Sequence, residues 1–211
     1  MGTRPRPVHP APAAPIVAFD FDGTLTVRDS FMVFLRWRAG PARFLAGLGR
    51  LAPDMAAYAV HRDRGRLKAA AVRVFLRGLT VEEVAAAAER FAKAEGPRLL
   101  RPDAVRRWRS WRDLGARLVI VTASPEILVA PFARELCADT IIGTRLATDE
   151  HGRLTGSFDG ANCRGPEKVR RLKARFGHGV RLAAAYGDTA GDREMLSIAE
   201  EAGYRVFKET P

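Results

Sequence analysis

Four short apolar runs punctuate the chain, and each stops abruptly at a polar residue or a glycine. Ile16-Val17-Ala18-Phe19 ends at Asp20, and Arg117-Leu118-Val119-Ile120-Val121 ends at Thr122. Thr140-Ile141-Ile142-Gly143 is the third run, and Leu182-Ala183-Ala184-Ala185-Tyr186 closes on Gly187-Asp188. A brief, nearly continuous apolar run reads as a strand buried on both faces. Helical periodicity fills the stretches between, over Arg101–Leu114, Glu126–Leu136, Glu167–Phe176 and Asp192–Ala202. Strands alternating with helices predict an α/β fold with a three-layer, Rossmann-like parallel sheet. Ligands of such sheets bind beyond the carboxyl ends of the strands. Three of the four runs end there in Asp, Thr or Gly-Asp, which puts the candidate active site at that edge.

Residues 28–105 break the alternation. Phe31, Phe34, Leu35 and Phe44, Leu45, Leu48, Leu51 recur at helical spacing, Val81–Phe91 is an Ala-rich amphipathic stretch, and Pro41, Pro53 and Pro97 punctuate the segment. An α-helical insert between the first two strands is a cap subdomain. The expected organisation is therefore an N-terminal tail over 1–14, an α/β core over 15–27 and 106–211, and the cap over 28–105. Gly152 and Gly156, between Asp149 and Asp159, mark a small hairpin.

Composition adds little until charge is located. With 47% hydrophobic and 28% charged residues, the 211-residue chain is ordinary globular material. The Pro/Ala-rich start lacks the continuous apolar stretch of a signal peptide, and no run is long enough to span a bilayer, so the default compartment is the cytoplasm. Two cysteines, Cys137 and Cys163, share no metal-type spacing. The net charge is +11, and residues 28–112 carry all of that excess, with 19 Lys/Arg against 8 Asp/Glu. Arginine outnumbers lysine 30 to 5, which a GC-rich genome would also produce. A clustered positive field favours an anionic partner.

The sharpest motif is Asp20-Phe21-Asp22-Gly23-Thr24 at the end of the first run. Two carboxylates two residues apart repel when buried, so the site calls for a cation or a shared proton. Gly23 permits a sharp turn that brings its N–H close to an anion. Gly187-Asp188-Thr189-Ala190-Gly191-Asp192 supplies two more carboxylates. Together these form an all-oxygen set suited to Mg²⁺. Asp192 alone would also read as a helix cap. Thr122 and Lys168 lie between the two acidic elements, and a hydroxyl plus an ammonium suit the oxygens of a transferring phosphoryl group.

Asp20-x-Asp22-Gly23-Thr24, Thr122, Lys168 and Gly187-Asp188-x-x-x-Asp192, in that order, resemble the four motifs of the haloacid dehalogenase superfamily. The likeness spans residues 16 to 195. The helical cap after the first motif, Val121-Thr122-Ala123-Ser124-Pro125-Glu126, and Asn162-Cys163-Arg164-Gly165-x-x-Lys168 resemble its phosphoserine-phosphatase-like branch. The resemblance implies a phosphatase in which Asp20 attacks phosphorus and forms an aspartyl-phosphate, while Asp22 protonates the leaving alkoxide and then deprotonates water. It implies Mg²⁺ held by Asp20, the Asp22 backbone carbonyl and Asp188, with Asp192 beside them. It places the Gly23 N–H, Thr122 and Lys168 on the phosphate, and Asp29 on the substrate. A carboxylate at Asp22 marks ester hydrolysis rather than dehalogenation or ion pumping within that superfamily. Two departures loosen the substrate: Gly191 stands where phosphoserine phosphatases carry Asn, and Asp29 where they carry Glu. The branch also includes histidinol-phosphate and phosphatidylglycerophosphate phosphatases.

Other residues take plainer readings. His9, His61, His151 and His178 match no zinc pattern, Cys163 reads as a packed thiol, and Ser124 as the N-cap of the following helix. The lack of a Walker loop, a zinc finger or an aromatic-rich RNA motif counts against nucleic acid. The leading expectation is a Mg²⁺-dependent phosphomonoesterase acting on a small phosphorylated metabolite, phosphoserine-like or histidinol-phosphate-like. A second reading puts the phosphate on a lipid headgroup, met at the membrane surface by Phe31, Phe34, Trp37, Phe44 and Leu48 interleaved with Arg36, Arg38, Arg43 and Arg50. Gly40, Gly47 and Gly49 weaken a single long interfacial helix, which favours steering of soluble anions instead. A third reading, a receiver-like phospho-accepting module, suffers from motif order, since its acceptor lies on a middle strand.

Overall fold

The computed structural model describes residues 14–211, so the expected N-terminal tail lies, Ala14 apart, outside the described residues. Six strands form one sheet: β1 (Ile16–Phe19), β2 (Arg117–Pro125), β3 (Thr140–Thr148), β4 (Leu154–Asp159), β5 (Leu182–Gly187) and β6 (Ala199–Tyr204). Their order is β4-β3-β2-β1-β5-β6, parallel throughout except for β4, which runs antiparallel to β3 as the expected hairpin. β1 is central, and its alternate residues face opposite layers. Val17 and Phe19 join one apolar cluster with Leu118, Ile120, Trp108 and Phe132, while Ala18 joins the other with Val119, Leu172 and Met195. The sheet is thus covered on both faces, the three-layer α/β arrangement read from the sequence.

Between β1 and β2 lie α1 (Ser30–Ala39), α2 (Pro41–His61), α3 (Arg64–Phe75), α4 (Val81–Leu99) and α5 (Pro102–Asp113). After β2 come α6 (Glu126–Glu135), α7 (Pro166–Phe176) and the short α8 (Arg193–Leu196). The outgoing and returning connections of the helical segment pair side by side. Val27 N–H donates to Leu99 O and Arg101 N–H to Leu25 O, both at 2.8 Å. That return lies ahead of the expected boundary at 105, which falls inside α5. At the other end of α4, Thr80 makes a capping box with Glu83 and bridges to Arg153 of the β3–β4 turn. Along its length α4 lies against α6, with Phe91 edge-on to Phe132.

Two expectations require correction. The helix expected over Asp192–Ala202 ends at Leu196, and Ala199–Tyr204 pairs with β5 as an edge strand. The helical preference of Ala199-Glu200-Glu201-Ala202 yields to the free edge of β5 and to Glu201, which accepts from Tyr186 Oη at 2.5 Å and Arg107 Nη2 at 2.6 Å. The glycines of the cap do not interrupt α2 either. It runs unbroken through Gly47, Gly49 and Pro53, and the Phe75 ring packs directly on Gly47. Its outer side leaves Leu45 67% and Val60 75% exposed. Gly40, at φ +73°, does end α1 and separate it from α2, so the expectation against one long helix holds there but not at Gly47 or Gly49. Among the described residues no helix is long and apolar enough to cross a membrane.

Candidate active site

β1 gives out at Asp20, whose N–H donates to Tyr186 O of β5 at 2.9 Å, so the residue is pinned between the two strands. Residues Phe21–Leu25 then coil through a tight turn in which Asp22 and Gly23 leave helical geometry. Gly23 has φ +84°, and a Cβ there would stand 2.3 Å from Asp188 Oδ2. Only glycine lets this turn press against the acidic loop after β5.

Lys168, near the start of α7, is buried and ties the motifs together. Its Nζ donates to Asp20 Oδ1 and Asp192 Oδ1, both at 2.6 Å, and to Val121 O at 2.7 Å. Burial opposes its charge, but Asp20 and Asp192 outweigh that and hold the ammonium above its usual range. Burial pushes the Asp20 carboxyl up to about 7, against the pull of Lys168 and with the repulsion of Asp192. Asp192 is itself buried, yet Lys168 and the Thr189 donors keep its carboxyl below the usual value.

Asp20, Asp188 and Asp192 each offer an oxygen within 4.8 Å of the others. Their remaining bonds separate their roles. Asp192 Oδ2 accepts from Thr189 N–H at 2.8 Å and Thr189 Oγ1 at 2.9 Å, so both its oxygens are engaged by the protein. Asp20 Oδ2 has Thr24 Oγ1 at 3.5 Å, and Asp188 Oδ1 is buried with no hydrogen-bond partner. A buried carboxylate oxygen without a donor is costly, and a hard cation beside Asp20 would satisfy it. The donor set therefore fits Mg²⁺, with Asp20 and Asp188 as the side chains best placed to hold it.

Asp22 stands apart from that trio. Ser30 donates to its Oδ1 through the backbone N–H at 2.7 Å and through Oγ at 2.5 Å, while Ser124 Oγ donates to Oδ2. Asp22 is thus anchored to the first turn of α1 on one side and to the end of β2 on the other. Ser124 is not a helix cap as its sequence context suggested. α6 begins after Pro125 with no side-chain cap, because Ser124 is turned towards Asp22 and accepts from Lys68 Nζ at 3.2 Å. Thr122 is fully buried, with its Oγ1 accepting from Ser124 N–H at 3.0 Å, and its neighbour Ala123 is the one on the cavity wall. Asp29 reaches that wall as the N-cap of α1, accepting from Met32 N–H at 2.9 Å. Cys163 is a packed thiol, pushed up to about 11 by burial.

The carboxylates and Lys168 line a cavity of about 320 Å³ whose wall also carries Arg28, Arg64, Lys68, Asn162 and Arg164. The sequence alone assigns Arg64, Lys68 and Arg164 no role at the site. The first two come from α3, far along the chain, and the only signal for them was the cap's excess of positive charge. Arg164 lies over Gly191, where a Cβ would meet its Nη1 at 2.5 Å, so the glycine replacing the usual Asn makes room for a guanidinium. A buried acidic floor beneath a basic rim suits a cation below and an anionic ester above.

A sequence profile described as haloacid dehalogenase-like hydrolase matches residues 17–197. Protein CicA of Caulobacter vibrioides is 61% identical over 196 residues, covering 93% of this chain and 88% of its own length. A phosphoserine phosphatase of Halobacterium salinarum is 33% identical over 193 residues, 89% of this chain and 83% of its own. Among solved structures, a protein of unknown function from Bordetella pertussis Tohama I superposes with a TM-score of 0.72 at 24% identity, covering 87% of this chain and 86% of its own. A substrate-bound phosphoserine phosphatase gives 0.61 at 20% identity, covering 90% and 85%. These two share the fold.

Proposed function

The chain belongs to the haloacid dehalogenase-like hydrolases and is a phosphatase, and we propose that it hydrolyses a small phosphomonoester through an aspartyl-phosphate on Asp20, with Mg²⁺ as cofactor. The observation that carries this reading is the asymmetry of Asp20. One oxygen is fixed by the buried Lys168, and the other is free of any strong donor at the floor of a basic-rimmed cavity. The free oxygen forms the bond to phosphorus as the bond from phosphorus to the alcohol oxygen breaks. Asp22, held at the same cavity, gives a proton to the departing alkoxide. It then takes one from the water that cleaves the acyl phosphate and releases inorganic phosphate. Lys168 keeps Asp20 in place, and Lys68, Arg64 and Arg164 attract the ester's negative charge. The cation would screen the Asp20 carboxylate from the incoming dianion.

The similarity to the Halobacterium phosphoserine phosphatase supports amino-alcohol phosphates as a starting class, with Asp29 on the wall to meet an ammonium. The exposed apolar side of α2 favours, as a second reading, an ester presented at a lipid surface. Borohydride quenching during turnover, followed by peptide mass spectrometry, should reveal homoserine at position 20. Asp20→Asn should abolish turnover and Asp22→Asn should lower it about 10²–10⁴-fold. Near-normal turnover by Asp20→Asn would refute the covalent route.

A further inference from the structure

A second chamber of about 290 Å³ lies beside the catalytic cavity, between α1, α2 and α3. The two compartments share Asp29, Arg64 and Lys68 in their walls. Tyr58 stands with this gate, its hydroxyl accepting from Arg64 Nε at 3.4 Å. Beyond the gate the chamber is lined by Phe31, Met32, Leu48, Leu51, Met55 and Leu67, none of which carries a charge or a strong hydrogen-bonding group.

We infer that the ester cleaved at Asp20 carries an uncharged apolar body on its alcohol, seated in this chamber while the phosphate lies in the catalytic cavity. The inference rests on the phosphatase reading above and specifies its substrate. Its physical basis is the contrast between the two compartments. The chamber is far larger than the ~15 Å³ that admits one water, but its walls would leave such waters short of partners. A charged group reaching past the gate would lie against apolar side chains with no counter-charge beside it. The zwitterionic body of phosphoserine would find its partners at the gate, in Asp29 and Arg64, and leave the apolar volume beyond it unfilled.

Lys68 marks the border between the two environments. Its ammonium donates to Ser124 Oγ and Ala123 O on the catalytic side, and it lies 5.4 Å over the Phe31 ring on the other. An amphiphilic ester fits this division, with its anionic end against the cation and its apolar end against the ring and the leucines. Met55 lines the chamber yet is 48% exposed, so the chamber opens to the surface at that point. A body longer than the chamber has a way out past Met55. The same chemistry could come from a soluble ester or from one anchored in a bilayer.

The experiment is a chain-length series of n-alkyl monophosphates, methyl to octyl, with O-phosphoserine as the polar comparator and Mg²⁺ present. kcat/KM should climb about three- to fourfold per methylene until the chamber is full, and should overtake O-phosphoserine. Met55→Glu should flatten that slope, and the volume-conserving Met55→Leu should keep it, so a folding defect is not mistaken for lost selectivity. Presenting a long-chain monophosphate as monomers, and then in vesicles of neutral lipid, separates the two sources. A slope with monomers assigns a soluble substrate, and activation only on vesicles assigns a bilayer one. A flat series with O-phosphoserine turned over best would overturn the inference and leave the phosphatase reading intact. Absence of turnover with every ester would instead overturn the phosphatase reading itself.

Discussion

Replacing Lys168 with methionine removes one ammonium and leaves two buried carboxylates facing each other. Asp20 and Asp192 each lose a 2.6 Å bond, and Val121 O loses its 2.7 Å donor. Breaking a buried ion pair by deleting one partner costs about 3–5 kcal/mol, because the stranded charge has neither water nor counter-ion. Here one cation serves two anions, so the upper end applies, and proton uptake by a carboxylate limits the cost from above. For a chain of this size each kcal/mol moves the melting midpoint by about 2–4 °C, so Lys168→Met should melt about 10–20 °C below wild type. Circular dichroism melts in chelated buffer would read this without any contribution from bound metal. Adding Asp192→Asn to Lys168→Met removes one of the two stranded charges. The double variant should therefore melt above the midpoint that the two single changes add up to. A Lys168→Met melt within about 2 °C of wild type, or strict additivity in the cycle, would refute the view of Lys168 as the counter-ion shared by both carboxylates.

Mg²⁺ added to chelated protein should raise the melting midpoint, since a ligand at 100 times its Kd contributes about 2.7 kcal/mol. Asp188→Asn should lose most of that rise, and a wild-type protein indifferent to saturating Mg²⁺ would contradict the proposed cation site. Glu167, bonded to Arg170 and Arg171, has its carboxyl held down to about 2, chiefly by Arg170. The folded value lies below the unfolded one of about 4.3, so its contribution is full above that pH and fades as pH falls towards 2. With Arg170 largely exposed and screened, the contribution is about 1 kcal/mol, and the urea stability gap between wild type and Glu167→Gln should be smaller at pH 3 than at pH 7.

Strand ends were legible because burial on both faces writes itself as an unbroken apolar run, and the polar residue that breaks it is where the sheet opens to a ligand. That logic located Asp20 and the Gly187-Asp188 loop without any tertiary knowledge. It failed at Ala199–Tyr204, where the residues are good helix formers and the strand exists only because β5 offers an edge. It failed again at Ser124, since a serine before Pro-Glu reads locally as a cap while its actual partner, Asp22, is about a hundred residues earlier. The gate residues Arg64 and Lys68 were illegible for a related reason. Nothing in α3 distinguishes them from the other basic residues of the cap until the fold lays that helix over the catalytic cavity.

The position of α4 has a mechanical consequence. Its first turn is fastened to the β3–β4 turn through Thr80 and Arg153, and its last to the outgoing connection at Thr26 and Val27 through Leu99 and Leu100. A helix of 19 residues is about 28 Å long, so the fastenings are well separated, and the side between them rests on α6. α3 is fastened to the sheet as well, since Gly156 of β4 lies against Arg73 and Arg77, and Gly78 and Leu79 pair with Leu154. The cap is therefore braced like a beam at both ends, and Asp22, bonded to Ser30 and linked to Lys68 through Ser124, ties α1 and α3 to the catalytic floor.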